Sequence, residues 1–95
     1  MKNYIIIGGG IAGATIAHQL DSHNLTFDLV DDNPKYNSTK VAAGFWNPIV
    51  FKRLTMSFNA DVLMSLLKDY YPKVEQKLGN KFVHNTPQLK IFSTK

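Results

Sequence analysis

The sequence predicts an α/β fold that opens with a βαβ unit on a parallel sheet and continues into a helical segment and a later set of short strands. Three observations predict it. Tyr4-Ile5-Ile6-Ile7 is a short, β-branched apolar run. Glycines at 8, 10 and 13 follow it and hand the chain to the small, apolar opening of a helix. A second apolar run, Leu25 to Val30, ends in Asp31. Runs of this length bounded by turn residues read as buried strands, and a helical pattern between two of them makes the pair parallel. The arrangement is Rossmann-like.

The first strand is too short and too rich in isoleucine to start a helix. The turn after it carries the spacing G-x-G-x-x-G at Gly8, Gly10 and Gly13, the fingerprint of a dinucleotide site. Gly8 allows the tight turn, Gly10 lets the main chain approach a pyrophosphate, and Gly13 lets helix and strand pack closely. The phosphates then sit at the helix N-terminus, where the free N–H groups of Ile11, Ala12 and Gly13 and the helix dipole favour an anion. A glycine-rich turn need bind nothing, so the context carries the weight. The helix from Ile11 to about Ser22 places Ala14, Ala17 and Leu20 on one face with Ile16 beside them.

Asp31 lies 23 positions after Gly8, near the spacing at which an acid meets a ribose 2′-hydroxyl. Strand ends also carry Asp because the chain there turns and is exposed. Asp32 takes the role if the strand ends one residue later. A carboxylate here repels a 2′-phosphate, which disfavours NADP and leaves FAD and NAD open.

Asp32 to Ser38 is a polar loop with one proline. Ser38 or Thr39 is placed to cap a short helix through Val41-Ala42-Ala43 that ends at Gly44. Phe45-Trp46-Asn47-Pro48 then sets the only tryptophan beside a turn pair.

The fingerprint, Asp31 and the segment Ser38-Thr39-Lys40-Val41-Ala42-Ala43-Gly44-Phe45-Trp46-Asn47-Pro48 together resemble the N-terminal part of the FAD-dependent oxidoreductases of the D-amino-acid oxidase and glycine oxidase (DAO) family. In that family a serine-containing A-A-G segment, often followed by N-P, comes after the second strand. By motif the likeness covers about half of the 95 residues, and by pattern the rest. It implies an FAD whose pyrophosphate lies on Gly8, Gly10 and Gly13 and whose adenosine ribose meets Asp31. It further implies that the Ser38 and Thr39 hydroxyls lie near the phosphate and ribitol, and that Ala43-Gly44-Phe45 passes beside the flavin ring. The implied reaction is oxidation of a C–N bond of an amino acid or secondary amine, with a small-molecule amine or amino acid as the partner. No catalytic residue is nominated, because the cofactor supplies the redox chemistry. A stand-alone nucleotide-binding module and an NAD-linked dehydrogenase are the alternatives. The second is weakened by the A-A-G-F-W-N-P segment, which a nicotinamide domain does not require.

Residues 1–53 are thus expected to form the FAD-binding βαβ unit and A-A-G segment, and residues 54–95 the start of a substrate domain. From Met56 to Leu78 the residues Leu63, Leu66, Leu67, Tyr70, Val74 and Leu78 follow helical spacing, with Asn59 or Ser57 as N-cap and Gly79-Asn80 as the stop. Pro72 predicts a kink or two shorter helices meeting near Tyr71. Of Tyr70 and Tyr71, one ring is expected in the core and the other partly exposed. Phe82-Val83-His84 and Leu89-Lys90-Ile91-Phe92, around the turn Asn85 to Gln88, predict a hairpin. His84 in such an edge strand reads as structural.

Family enzymes are several times longer, so the resemblance implies that this is the N-terminal portion of a larger flavoenzyme, with apolar edges through which the truncated chain could self-associate. An apolar share of 44% and a charged share of 19% are those of an ordinary globular protein. The net charge of +4 comes from scattered lysines, with Arg53 the one arginine, and argues against a nucleic-acid surface. With no cysteine there is no disulfide or thiolate chemistry. The three histidines have no metal-ligand spacing. No run reads as a signal peptide or membrane helix, so no membrane partner and a cytoplasmic location are expected.

Overall fold

The structure, a computed structural model, describes residues 2–91. The chain divides between Asn47 and Pro48 into two compact units.

The first unit is a parallel βαβ motif. Strand β1 (Tyr4–Ile7) pairs with β2 (Phe27–Val30) in the register Tyr4 to Phe27 through Ile7 to Val30, with helix α1 (Ile11–Ser22) between them in sequence. The ladder extends at both ends, where Asn3 N–H donates to Thr26 O at 3.1 Å and Gly8 N–H to Val30 O at 2.8 Å. The first glycine of the turn is therefore still tied to the sheet. Ile6 is the buried residue of β1, and Gly13 is the buried residue of α1. Ile5 and Ile7, which alternate onto the other face, are exposed.

Helix α1 ends in a Schellman motif. Asn24 takes the left-handed conformation at φ 56°, its N–H donates to Asp21 O at 3.0 Å, and Leu25 N–H reaches back to Leu20 O at 2.9 Å. Leu25 is thereby spent on closing the helix, which is why β2 starts two residues later than the apolar run. The short helix α2 (Ser38–Val41) is capped by Asn37, whose Oδ1 accepts from Lys40 N–H at 2.8 Å. Neither Ser38 nor Thr39 is the cap, and the helix stops at Ala42, where ψ is already extended at 142°, short of Gly44.

The second unit opens with an antiparallel pair, β3 (Ile49–Val50) and β4 (Thr55–Met56), in the register Ile49 to Met56 and Val50 to Thr55. Its turn is closed by the N–H groups of Arg53 and Leu54, both donating to Val50 O, at 3.1 and 2.8 Å. Helix α3 (Ala60–Leu78) follows as one continuous element of 19 residues, although Pro72 sits inside it. The proline removes one hydrogen bond, yet the helix is not divided in two, one of the two outcomes expected at Pro72. Asn59 precedes the helix in a left-handed conformation without a side-chain cap, and Gly79 stops it at φ 67°. Ala60 and Val74 are buried on α3, while Tyr70 and Tyr71 are both half-buried with their rings edge to face at 5.2 Å.

After α3 the described residues 80–91 contain no strand, so the runs at Phe82–His84 and Leu89–Ile91 do not pair as a hairpin, and Phe92 lies outside the described residues. The physical reason is Glu75. Its Oε1 accepts the N–H groups of both Phe82, at 2.9 Å, and Val83, at 2.7 Å, and the Phe82 ring meets Tyr71 edge to face at 6.2 Å. Donors that a neighbouring strand would need are turned back onto the helix. These two N–H groups, Val83 foremost, hold the Glu75 carboxyl below its ordinary value; burial opposes them weakly, and the charges of Lys81 and His84 assist. The tether is therefore complete above the ordinary glutamate range and is lost as pH falls through the lowered value. Glu75→Ala should accelerate amide exchange at Phe82 and Val83 roughly tenfold while leaving the helical signal of α3 unchanged. Unchanged exchange at both amides would show that Glu75 does not hold the segment.

Candidate dinucleotide site

The site grows out of the end of β1. Gly8 takes φ +101°, a conformation side chains rarely adopt, and turns the chain off the sheet. Gly10 is the N-cap of α1 at φ −69° and ψ −174°, with no side-chain cap on the helix. The N–H groups of Ala12 and Gly13 stand in the first turn, where a helix offers no internal acceptor. Closeness of helix and turn is built in at Gly13. A Cβ placed there would lie 1.8 Å from Gly8 O and 3.3 Å from Ile6 Cγ2.

Two side chains converge on this turn. Asp31, directly after β2, accepts Gly9 N–H on Oδ2 and Asn33 N–H on Oδ1, the latter at 2.6 Å. The Gly9 N–H, then the Asn33 N–H, hold its carboxyl below the ordinary aspartate value; weak desolvation opposes them and the Lys40 charge assists. Thr39, from α2, accepts Ile11 N–H on Oγ1 at 3.0 Å. A Cβ at Gly10 would come within 3.0 Å of that same oxygen. Glycine turn, acid and hydroxyl thus form one cluster within the first unit.

Other residues singled out in the sequence stand apart from it. Asp32 and Ser38 are exposed, and among the described residues neither hydrogen-bonds to the glycine turn. Ala43, Gly44 and Phe45 follow α2 as exposed chain, with Gly44 at φ +75° and Phe45 83% exposed. The structure also adds residues that spacing did not identify. Gly9 supplies the N–H that meets Asp31, Asn33 folds the loop onto the same carboxylate, and Lys40 Nζ donates to Asn33 Oδ1 and Pro34 O, both at 2.8 Å. Gly9 could have been found as the middle of the three-glycine run. Lys40 had no such signal, being one lysine among many.

A family model described as FAD dependent oxidoreductase matches residues 3–92. The chain belongs to the FAD-dependent oxidoreductase (DAO) family. No solved structure matches it significantly. The family match spans the whole βαβ unit, the α2 segment and α3. The residues at the turn are compatible with a dinucleotide: Gly10 leaves open the space that a Cβ would fill beside Thr39, and the helix start presents N–H groups without internal acceptors. Among the described residues no three His, Asp or Glu side chains gather as a metal site, and no helix is long and apolar enough to cross a membrane.

Proposed function

We propose that this chain binds FAD and forms the N-terminal, cofactor-binding portion of an oxidoreductase that oxidises the C–N bond of an amino acid or secondary amine. The observation that carries the reading is the convergence of Asp31 and Thr39 on the glycine turn, in a chain matched by an FAD-dependent family over residues 3–92. Bound FAD supplies the flavin ring that accepts the hydride.

What the chain's residues do follows from their donors and acceptors. The N–H groups of Ala12 and Gly13 bind pyrophosphate oxygens at the positive end of α1. Thr39 Oγ1 already accepts from Ile11 N–H, so its own O–H is free to donate to a phosphate oxygen and its lone pair keeps the helix start in place. A carboxylate has about four lone-pair sites. Asp31 uses two on Gly9 and Asn33 and retains capacity for the adenosine ribose hydroxyls. Its lowered pKa keeps it an acceptor throughout the neutral range. Ser38 borders the phosphate and ribitol, Ala43-Gly44-Phe45 borders the flavin, and residues 54–95 open the substrate domain.

The test is the absorption spectrum of the protein that carries this chain. Flavin bands in the visible blue that bleach on anaerobic addition of an amino acid or secondary amine are expected. A colourless preparation that gains thermal stability from NAD and not from FAD would overturn the reading.

A further inference from the structure

We propose that Lys40 is a positioning residue for the adenosine half of the nucleotide site: it clasps the loop after β2 and so holds Asp31 on the glycine turn. This rests on the FAD reading above. Asn33 has φ 45°, a left-handed conformation that costs a residue other than glycine energy, and it precedes Pro34, which further narrows what its backbone can adopt. Such a conformation persists only where its surroundings over-determine it. Here the two restraints are visible. Asn33 N–H is fixed on Asp31 Oδ1 at 2.6 Å, and the Asn33 side chain and Pro34 carbonyl are both held by Lys40 Nζ at 2.8 Å. Lys40 is itself fixed at the start of α2, where its N–H donates to the Asn37 cap at 2.8 Å, and its neighbour Thr39 bonds Ile11. One lysine thus links the loop that shapes the acid to the helix that reaches the phosphate turn.

Without the clasp, Asn33 relaxes towards the extended backbone favoured before proline, its N–H leaves Asp31, and the carboxylate loses one of its two fixed positions. The groups that face Asp31 are the N–H of Gly9, the N–H of Asn33 and the ammonium of Lys40, with Asp32 adjacent in the chain. Removing the ammonium and the Asn33 bond raises the Asp31 pKa, so ribose recognition fails at higher pH.

Calorimetric titration of the protein with ADP tests this. Lys40→Met is expected to bind ADP about tenfold more weakly than the parent. Its acid limb of ADP binding should move to higher pH, and Lys40→Arg should restore most of the affinity. Asn33→Ala, which removes the acceptor of the same bond, should reproduce the loss, and the double variant should be no worse than either single one. Parent-like affinity and pH profile in Lys40→Met, or additive losses in the double variant, would overturn the role of Lys40 alone. A parent that binds neither ADP nor FAD would overturn the nucleotide site itself and this inference with it.

Discussion

Gly13→Ala is expected to unfold the first unit, although the substitution puts the best helix former into a helix. On propensity alone it should stabilise α1 by about 1 kcal/mol, because alanine restricts the unfolded chain and glycine does not. Geometry decides the sign against propensity. The added Cβ would lie 1.8 Å from Gly8 O and 3.0 Å from Gly8 C, both backbone atoms that cannot swing aside as a side chain does. Gly8 is in turn fixed to the sheet through Val30 O. The helix must therefore lift off the turn, and in doing so it uncovers Ile6, the buried apolar side chain among the unit's described residues. Overpacking of this severity costs about 3 kcal/mol or more. A unit with so little buried surface has no comparable reserve. Circular dichroism should show loss of the cooperative thermal transition in Gly13→Ala. A melting temperature at or above that of the parent would mean that the contact of α1 with the turn is looser than the structure shows.

How much of this was legible in the sequence depends on how local the determining contacts are. Strand β1 and helix α1 were readable because four β-branched or aromatic residues, then glycines, then small residues state their own conformation. The glycine turn and Asp31 were readable by spacing, since the distance from turn to acid is set by one helix and one strand of ordinary length. The pair β3–β4 was not: two residues give no period, and its turn Phe51-Lys52-Arg53-Leu54 contains none of the usual turn formers, with Leu54 at φ 53°. Phe82-Val83 has strand composition, yet a carboxylate seven residues back takes its N–H groups, a contact no window of composition contains. The cap of α2 failed for a similar reason. Asn37, Ser38 and Thr39 can all cap, and only the fold shows that the Thr39 hydroxyl meets Ile11.

Exposure of the apolar residues bears on the cofactor as well as on stability. A parallel sheet is ordinarily covered on both faces. Here Ile5 and Ile7 are 69% and 87% exposed, so the βαβ unit buries one face and leaves the other open. The rigid part of the site is accordingly the turn itself, where Gly8 is tied to Val30, Gly9 to Asp31 and Ile11 to Thr39. The N–H groups of Ala12 and Gly13, which follow these tied positions and have no acceptor within the helix, can hold an anion without a cationic side chain. On the proposed FAD reading, phosphate binding then rests on main-chain geometry, and hence on which positions can carry a Cβ.

Gly10→Val separates cofactor binding from folding for this reason. Gly10 has φ −69° and ψ −174°, extended backbone that a β-branched residue adopts without strain, and it lies outside the helix proper as its N-cap. The nearest atoms to its missing Cβ are Thr39 Oγ1 at 3.0 Å and Thr39 Cβ at 3.9 Å, side-chain atoms and not backbone. Valine should thus fold, in contrast to alanine at Gly13, with a melting temperature within a few degrees of the parent. Its isopropyl group nevertheless stands where the proposed FAD reading requires main chain and pyrophosphate to approach, and it pushes aside the Thr39 hydroxyl that accepts Ile11 N–H. FAD affinity should fall on the order of 100-fold, or about 2.7 kcal/mol, by fluorescence titration of the flavin. Loss of affinity together with loss of the melting transition would show that Gly10 serves the fold. Parent-like affinity in a folded Gly10→Val protein would remove the pyrophosphate from the glycine turn, and the FAD site would have to be sought elsewhere in the chain.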